Sequence, residues 1–156
     1  MEKVSISPFH IIGISVRTTN ENGQSTKDIP ALWEQFMQEQ ILEKIPNKLD
    51  NTVYCMYTDY EKDHTRPYTT LIGCRVSSLD EIPENMTGKT ISAAPYHKYT
   101  VKGNLQQNIV YNAWLKIWNE DLKRSYTADF EMYDPTKQTP ENAEVEIFIA
   151  VDPEVK

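Results

Sequence analysis

The feature that most constrains the fold of this chain is an order of predicted elements that occurs twice. Each copy runs strand, helix, strand, strand, and the matching helices and paired strands lie about 75 residues apart, close to half of the 156-residue chain. No residue-level repeat accompanies this order, so the duplication rests on the pattern of elements alone. Two such units predict an α+β fold in which two main helices cover an antiparallel sheet, with a cleft between the halves.

The first copy is defined by hydrophobic periodicity. Its helix starts near Asp28 and Pro30, which supply helix-start chemistry, and carries apolar residues at helical spacing. Alternating or β-branched residues around this helix predict strands. The first half, about residues 1–78, thus contains a strand at 8–17, a helix at 29–45, and strands at 52–58 and 68–76 joined by a polar loop at 59–67.

The second copy repeats this order after a loop rich in turn-forming residues. Its helix carries an apolar stripe that includes Trp114, and Pro95 predicts a bend or an edge position in the strand before it. We expect residues 1–156 to form one domain built from two similar halves. The second half, about residues 89–152, contains strands at 89–101, 126–133 and 144–151 and a helix at 105–119.

Charge and apolar content argue against several classes of partner. Acidic residues outnumber basic ones by 23 to 16, for a formal net charge of -7, so the average surface would repel a phosphate backbone and direct DNA binding is not expected. The chain has no signal-peptide pattern and no apolar run long enough to cross a membrane. Cys55 and Cys74 fall within predicted strands. These features predict a soluble, cytoplasmic protein with buried, reduced thiols.

Motifs for a metal, a nucleotide cofactor or a nucleophilic triad are absent from the sequence. The histidines are far apart: His64 lies in the polar loop, where we expect it to be solvated, and His97 is expected to have a structural or surface role. We therefore expect neither a metal nor a cofactor.

The most informative side chain is a carboxylate among aromatic residues. Alternation places Glu131 on the face of its strand opposite Phe130, and the last strand offers Phe148 as a companion on the cleft face. An apolar cation could bind between the π faces of such rings and the charge of the carboxylate. The alternatives are that Glu131 faces water on a half-exposed strand and that Trp33 and Trp114 only pack in the core.

Two stretches of the sequence resemble the GyrI-like small-molecule-binding domain, which is also the effector-binding domain of AraC-type and MerR-type multidrug regulators. NAWLKIWNEDLKRSYTADFEMYDP, followed by EVEIFIAV, is similar to the family's aromatic helix, Phe-Glu-x-Tyr strand and final apolar strand. YCMYTDYEKDHTRPYTTLIGCRV resembles its central hairpin, and the opening strand also fits. The resemblance covers nearly the whole chain and implies a tandem pair of strand–helix–strand–strand units around a ligand cleft.

The resemblance also implies roles for individual residues. Glu131 matches the family's pocket glutamate, which faces cationic or polarised ligands, and Tyr68 and Trp114 fall near positions that line the cleft. With Phe148 and Trp33, these residues form the candidate ligand-binding set. Regulators of this kind carry a helix-turn-helix domain before the ligand domain. Because the first predicted strand of this chain starts within the first ten residues, we expect a stand-alone member of the family without such a domain.

Three functions are compatible with the sequence. The first is a sensor or sequestering protein for hydrophobic or cationic organic molecules, linked to transcription regulation or drug response. The second is a hydrolase of strained electrophiles that uses Glu131 as general base or proton donor with a phenol such as Tyr68. The third is an interaction with a protein partner, as in relatives that act on DNA gyrase. A tyrosine hydroxyl within reach of Glu131, with room for a water, would favour hydrolysis; a wide ring-lined cleft without one would favour binding.

Overall fold

The computed structural model describes residues 2–139 and 141–153, which form an eight-stranded antiparallel sheet and three α-helices. The strands are β1 (Glu2–Ile6), β2 (Phe9–Thr18), β3 (Val53–Thr58), β4 (Tyr68–Val76), β5 (Thr87–Ile91), β6 (Ala94–Gly103), β7 (Ala128–Gln138) and β8 (Ala143–Ala150). The helices are α1 (Ser25–Gln38), α2 (Ile41–Lys44) and α3 (Ile109–Trp118), and short 3-10 turns precede α1 and α3.

The strand order confirms the predicted duplication. In the first half the strands lie in the order β2-β4-β3, and in the second half in the order β6-β8-β7. Each half therefore pairs its first strand with its third and its third with its second. The halves meet at the centre of the sheet, where β3 pairs with β7. An α+β fold made of two strand–helix–strand–strand units is thus confirmed.

Two short edge strands are exchanged between the halves, and the sequence did not predict them as separate elements. β1 precedes β2 in the chain but pairs with β6, while β5 precedes β6 but pairs with β2. Because only two residues join each edge strand to the next strand, the two edges of the sheet must approach each other and the sheet curves strongly. The single strand predicted at 89–101 is wrong, since β5 ends at Ile91 and β6 begins at Ala94.

The curvature separates an inner core from an outer one. Phe9, Tyr96, Phe130 and Phe148 belong to one buried cluster that fills the inside of the curved sheet. On the outer face, α1 and α2 cover the first half, and α3 covers the second half through Trp114 and other apolar residues. The space between α1 and α3 therefore lies above the junction of β3 and β7.

The ends of several elements differ from the prediction. The helix predicted at 29–45 is divided into two. α1 ends at Gln38, and Gln40 adopts a left-handed conformation (φ 53°) before α2 begins. α1 starts at Ser25, upstream of Asp28, whose carboxylate accepts a hydrogen bond from the Thr18 hydroxyl at 2.8 Å. β7 ends at Gln138, five residues beyond the end of the strand predicted at 126–133.

Cys55 and Cys74 are buried free thiols, as the sequence predicts. In the part of the chain that the structure describes, no helix is long and apolar enough to cross a membrane. Within residues 2–139 and 141–153, no group of three or more His, Cys, Asp or Glu side chains is arranged to hold a metal ion.

Candidate functional site

A cavity of about 420 Å³ lies between α1 and α3, with walls from both halves of the chain. Its lining includes all three tryptophans and five tyrosines, so eight of its eighteen lining residues carry a tryptophan or tyrosine ring. A cavity of this size, lined by rings and a few polar groups, is typical of a small-molecule site. The structure therefore contains the cleft that the duplicated pattern predicts.

Glu131 is the acidic group in the wall of this cavity. The residue is 3% exposed and lies on β7, next to the central junction of the sheet. Its Oε2 accepts hydrogen bonds from Tyr57 Oη at 2.8 Å and from Trp114 Nε1 at 2.7 Å, and its Oε1 accepts one from Tyr133 Oη at 2.5 Å. None of the ion pairs among the described residues involves Glu131.

Burial is the main influence on the protonation of Glu131. Loss of hydration raises the pKa of its carboxyl, while the hydrogen bonds from Tyr133, Tyr57 and Trp114 act in the opposite direction. Burial also raises the pKa values of the Tyr57 and Tyr133 hydroxyls well above their usual range, so both remain neutral donors. When ionised, the carboxylate is thus hydrogen-bonded, but no cation in the described part of the chain forms an ion pair with it.

Aromatic contacts hold the three donors in place. The rings of Tyr57 and Trp114 meet edge to face, with centroids 5.4 Å apart and planes at 86°. The rings of Tyr133 and Trp33 meet in the same way at 5.1 Å and 79°. Edge-to-face packing restricts the orientation of each ring. The donors around Glu131 are therefore positioned before any ligand arrives.

A second buried carboxylate, Asp129, lies two positions before Glu131 on the same face of β7. Its Oδ2 accepts a hydrogen bond from Arg124 Nη2 at 2.7 Å and one from Tyr60 Oη at 2.6 Å, and its Oδ1 accepts one from the backbone N–H of Ala150 at 2.8 Å. The side chains of Asp129 and Arg124 are 0% and 5% exposed. Unlike the charge of Glu131, the charge of Asp129 is matched by a protein cation.

His64 lies at the cavity and connects the two halves. Its ring stacks on Trp118 of α3, with centroids 5.6 Å apart and planes at 7°. Its backbone carbonyl accepts a hydrogen bond from Asn20 Nδ2 at 2.8 Å. The expectation that His64 is solvated is therefore wrong, because its loop folds over the cavity and half-buries the imidazole against an aromatic partner.

The comparison with known families agrees with this geometry. The family model described as Cass2, integron-associated effector binding protein, matches residues 4–151. The chain belongs to this family. The predicted resemblance to effector-binding domains is thus confirmed.

Two relatives and one protein of the same fold illustrate the extent of the likeness. YobU, a proposed transcriptional regulator of Bacillus subtilis, is 29% identical over 143 residues, which cover 89% of each chain. The integron cassette protein VCH_CASS2 from the mobile metagenome of Vibrio cholerae is 32% identical, with a TM-score of 0.72 and coverage of 97% of this chain and 95% of that one. SAV2435, whose structure contains tetraphenylphosphonium, has a TM-score of 0.76 at 16% identity, with coverage of 97% and 93%. This last likeness shows the fold alone.

Within this Cass2-family chain, four of the five candidate binding residues line the cavity: Glu131, Tyr68, Trp114 and Trp33. The predicted placement of Phe148 on the cleft face is wrong. Phe148 pairs across the strands with Phe130 and stacks on it at 4.8 Å in the inner core. Glu131 instead pairs with Ile147, so it is the aliphatic face of β8 that points toward α3.

The phenols nearest to Glu131 also differ from the prediction. Tyr68 lines the cavity, but its hydroxyl donates to Asn20 Oδ1 at 2.6 Å, and the structure shows no hydrogen bond from it to Glu131. Tyr57 and Tyr133 are the phenols that donate to the carboxylate. Tyr133 was detectable in the sequence, because it lies two residues after Glu131 and so on the same face of the strand.

Proposed function

We propose that this protein binds hydrophobic organic cations in the cavity between α1 and α3, with Glu131 as the counter-charge. The observation that carries the proposal is the environment of Glu131. The residue is 3% exposed and accepts hydrogen bonds from Tyr57, Trp114 and Tyr133, while none of the ion pairs among the described residues reaches it. Burying an ionised carboxylate without a counter-charge is costly. A bound cation would supply that counter-charge.

The rest of the cavity supports a cation that is apolar rather than strongly hydrated. The lining offers the rings of tryptophan and tyrosine side chains, which attract organic cations through their π faces. Within the described residues, only Arg124 and His64 contribute basic side chains to the lining, and Asp129 pairs with Arg124. The tetraphenylphosphonium in the structure of SAV2435 is a ligand of this class in a protein of the same fold.

The cellular role that follows from this proposal is that of a sensor or a sequestering protein for such compounds. Membership of an effector-binding family supports the role, as does the similarity to YobU, a proposed transcriptional regulator.

Two ions of nearly the same shape and opposite charge test the proposal. Tetraphenylphosphonium and tetraphenylborate should be titrated into the protein by calorimetry at neutral pH. We expect saturable binding of the phosphonium and binding of the borate that is weaker by about a hundredfold or more, because the borate would place a second negative charge beside Glu131. Equal affinities would mean that the cavity does not discriminate between a cation and an anion of the same shape, and the proposal would then be wrong.

Hydrolysis of a strained electrophile is a second candidate, and one observation favours it. The hydroxyls of Tyr57 and Tyr133 both lie within hydrogen-bond distance of Glu131. In such a reaction Glu131 would take a proton from water as the oxygen of that water attacks an epoxide carbon. The ring C–O bond would break, a tyrosine would protonate the leaving oxygen, and Glu131 would return its proton to the phenolate.

Incubation with an aryl epoxide and mass detection of the diol separates the two candidates. Binding alone predicts no diol above the rate without protein. Diol formation that disappears in Glu131→Gln and persists in Glu34→Gln would establish hydrolysis, because Glu34 is an exposed residue of α1 outside the cavity.

A further inference from the structure

His64 places an aromatic ring of the protein itself on one wall of the cavity. Its imidazole is nearly parallel to the indole of Trp118, with centroids 5.6 Å apart and planes at 7°. Both residues line the cavity between α1 and α3. The ring of Tyr126 is also close to parallel with the imidazole, at 6.2 Å and 24°. The imidazole therefore occupies a flat space on Trp118 that borders the cavity.

This space on Trp118 is connected to Glu131 through Trp114. The two tryptophans lie one turn apart on α3, and their ring centroids are 6.4 Å apart. Trp114 Nε1 donates the 2.7 Å hydrogen bond to Glu131 Oε2. A flat cation that covered Trp118 and extended along this wall would thus keep its charge near the carboxylate, where little water screens the attraction.

The imidazole is carried by the tip of the loop between β3 and β4, residues 62–66, which is fixed at its base. The backbone N–H of Glu61 donates to the carbonyl of Pro67 at 2.9 Å and so closes the loop below the tip. Arg17 Nη2 donates to the same carbonyl at 3.3 Å. The loop tip therefore extends from an anchored base, and it can move without disturbing the strands.

The polar contacts that hold the loop tip over the cavity are weak. Asn20 Nδ2 donates to the His64 carbonyl at 2.8 Å, and His64 Nδ1 lies 3.4 Å from Tyr126 Oη. Arg66 Nη1 lies 3.6 Å from Glu21 Oε1, but both side chains are about half exposed. Exposed ion pairs and single hydrogen bonds each contribute little net stability. Release of the loop tip is therefore opposed mainly by the ring contacts of the imidazole.

A flat aromatic cation would form a stronger contact with Trp118 than the imidazole does. Burial lowers the pKa of His64, so its ring is neutral at and above neutral pH and gains no cation–π attraction. Two or three fused rings would also cover more of the indole than one five-membered ring. Tetraphenylphosphonium gains less here, because its rings point in four directions and do not fit a flat space.

We infer that His64 is an intramolecular competitor on an aromatic subsite formed by Trp118, and that the preferred ligands are flat aromatic cations, which displace the imidazole. Because Glu131 supplies the counter-charge, the inference rests on the proposed function. The closed loop tip lowers the affinity for flat cations, since the protein must release His64 before they bind. His64 is thus a specificity-determining residue of the same cavity.

Removal of the imidazole tests the competition. N-Methylacridinium, which is flat, and tetraphenylphosphonium, which is not, should be titrated by calorimetry into the wild-type protein and His64→Ala at slightly alkaline pH. We expect His64→Ala to increase the affinity for N-methylacridinium, relative to that for tetraphenylphosphonium, by about two- to tenfold, as the loss of one competing ring contact implies.

His10→Ala is the matched control, because it removes an imidazole that lies outside the cavity, and the ratio of the two affinities should not change. A ratio that stays the same or falls in His64→Ala would contradict the inference.

A second measurement uses the unaltered protein. In the absence of a ligand, nuclear Overhauser contacts should join the imidazole protons of His64 to the indole protons of Trp118, since the two rings are stacked. Saturation with N-methylacridinium should abolish these contacts and produce new ones between the acridinium and Trp118. Contacts between His64 and Trp118 that persist at saturation would overturn the inference, whatever the variants show.

The outcomes separate the two proposals. If neither cation binds, or if Glu131→Gln weakens neither, the proposed function is wrong and the inference fails with it. If both cations bind and Glu131→Gln weakens both, but N-methylacridinium leaves His64 on Trp118, the displacement of His64 alone is wrong.

Discussion

Asp129 and Glu131 lie two residues apart on the same face of β7, and both are buried, yet the protein treats their charges differently. Asp129 forms an ion pair with Arg124 and accepts two further hydrogen bonds. Glu131 accepts three hydrogen bonds, all from the neutral side chains Tyr57, Trp114 and Tyr133. Only the second carboxylate therefore leaves its charge available to a ligand.

The difference shows how one strand can serve stability and binding at adjacent positions. An ion pair inside a protein is strongly destabilised when one partner is removed, because the other charge remains buried alone. A carboxylate held by neutral donors has no such partner and can be replaced at lower cost. The following predictions test whether the two sites differ in this way.

The largest expected effect is on stability, at Asp129. Asp129→Asn leaves the buried guanidinium of Arg124 without a counter-charge, and we expect the free energy of unfolding to fall by about 3–5 kcal/mol. Urea denaturation measures the loss. Asp121→Asn serves as the control, because Asp121 is exposed and its replacement should change stability by less than about 0.5 kcal/mol. Similar losses in both variants would show that the ion pair is not important for the fold.

The next effect is on binding, at Glu131. Glu131→Gln keeps the shape of the side chain and removes its charge, so tetraphenylphosphonium should bind about ten- to a hundredfold more weakly, corresponding to roughly 1.5–3 kcal/mol. The loss of unfolding free energy should be smaller than for Asp129→Asn, because no buried cation loses its partner. Calorimetry with Glu34→Gln as the exposed control checks both statements. An unchanged affinity in Glu131→Gln would contradict the role of its charge.

The charge of Glu131 should also make binding depend on pH. Because burial raises the pKa of its carboxyl, Glu131 takes up its proton at a higher pH in the folded protein than in the unfolded chain. Its protonation thus favours the folded state as the pH falls through this window, and it removes the charge that attracts the cation. We expect the affinity for tetraphenylphosphonium to fall as the pH is lowered through the raised folded pKa.

The contribution of His64 to this pH dependence has to be removed, because a protonated His64 would also repel a cation. A His64→Gln background isolates the contribution of Glu131, and His64→Gln with Glu131→Gln should show no dependence on pH over the same range. An equal dependence in both proteins would mean that another group is responsible.

The smallest effect is expected at Tyr133. Its hydrogen bond opposes the rise in the pKa of Glu131, so Tyr133→Phe should move the pH midpoint of cation binding upward. At alkaline pH, where Glu131 is ionised in both proteins, the affinity should change by less than about fivefold. A midpoint that moves downward would contradict this account of the hydrogen bond.

The duplicated unit could be predicted because its helices and long strands have strong periodic patterns. The apolar stripes of α1 and α3 have helical spacing, and the hairpin strands alternate, so their types follow from local sequence. The edge strands β1 and β5 do not stand out in this way. Each has five residues, and each is held by pairing with a strand of the other half, which periodicity along the chain does not reveal.

The placement of Phe148 shows why alternation alone did not define the site. One face of β8 packs in the inner core and the other packs under α3, so both faces carry apolar residues. Alternation separates the two faces but does not say which one belongs to the cavity. That choice depends on the register between β7 and β8, where Phe148 meets Phe130 and Glu131 meets Ile147.

Arg124 and His64 were missed for a different reason. Both lie in segments between regular elements, where no periodicity indicates the direction of a side chain. Their positions at the cavity result from long-range contacts: His64 stacks on Trp118, and Arg124 pairs with Asp129. By contrast, Glu131 lies in a regular strand, so its face could be predicted.

A crystal structure of the protein with tetraphenylphosphonium tests the central claim most directly. We predict that the phosphorus lies between α1 and α3, with its phenyl groups against the tryptophan and tyrosine rings and within roughly 6 Å of their centroids. The carboxylate of Glu131 should face the cation and keep its hydrogen bonds to Tyr57 and Trp114. A cation bound outside this cavity, or one inside it with its charge directed away from Glu131, would contradict the account.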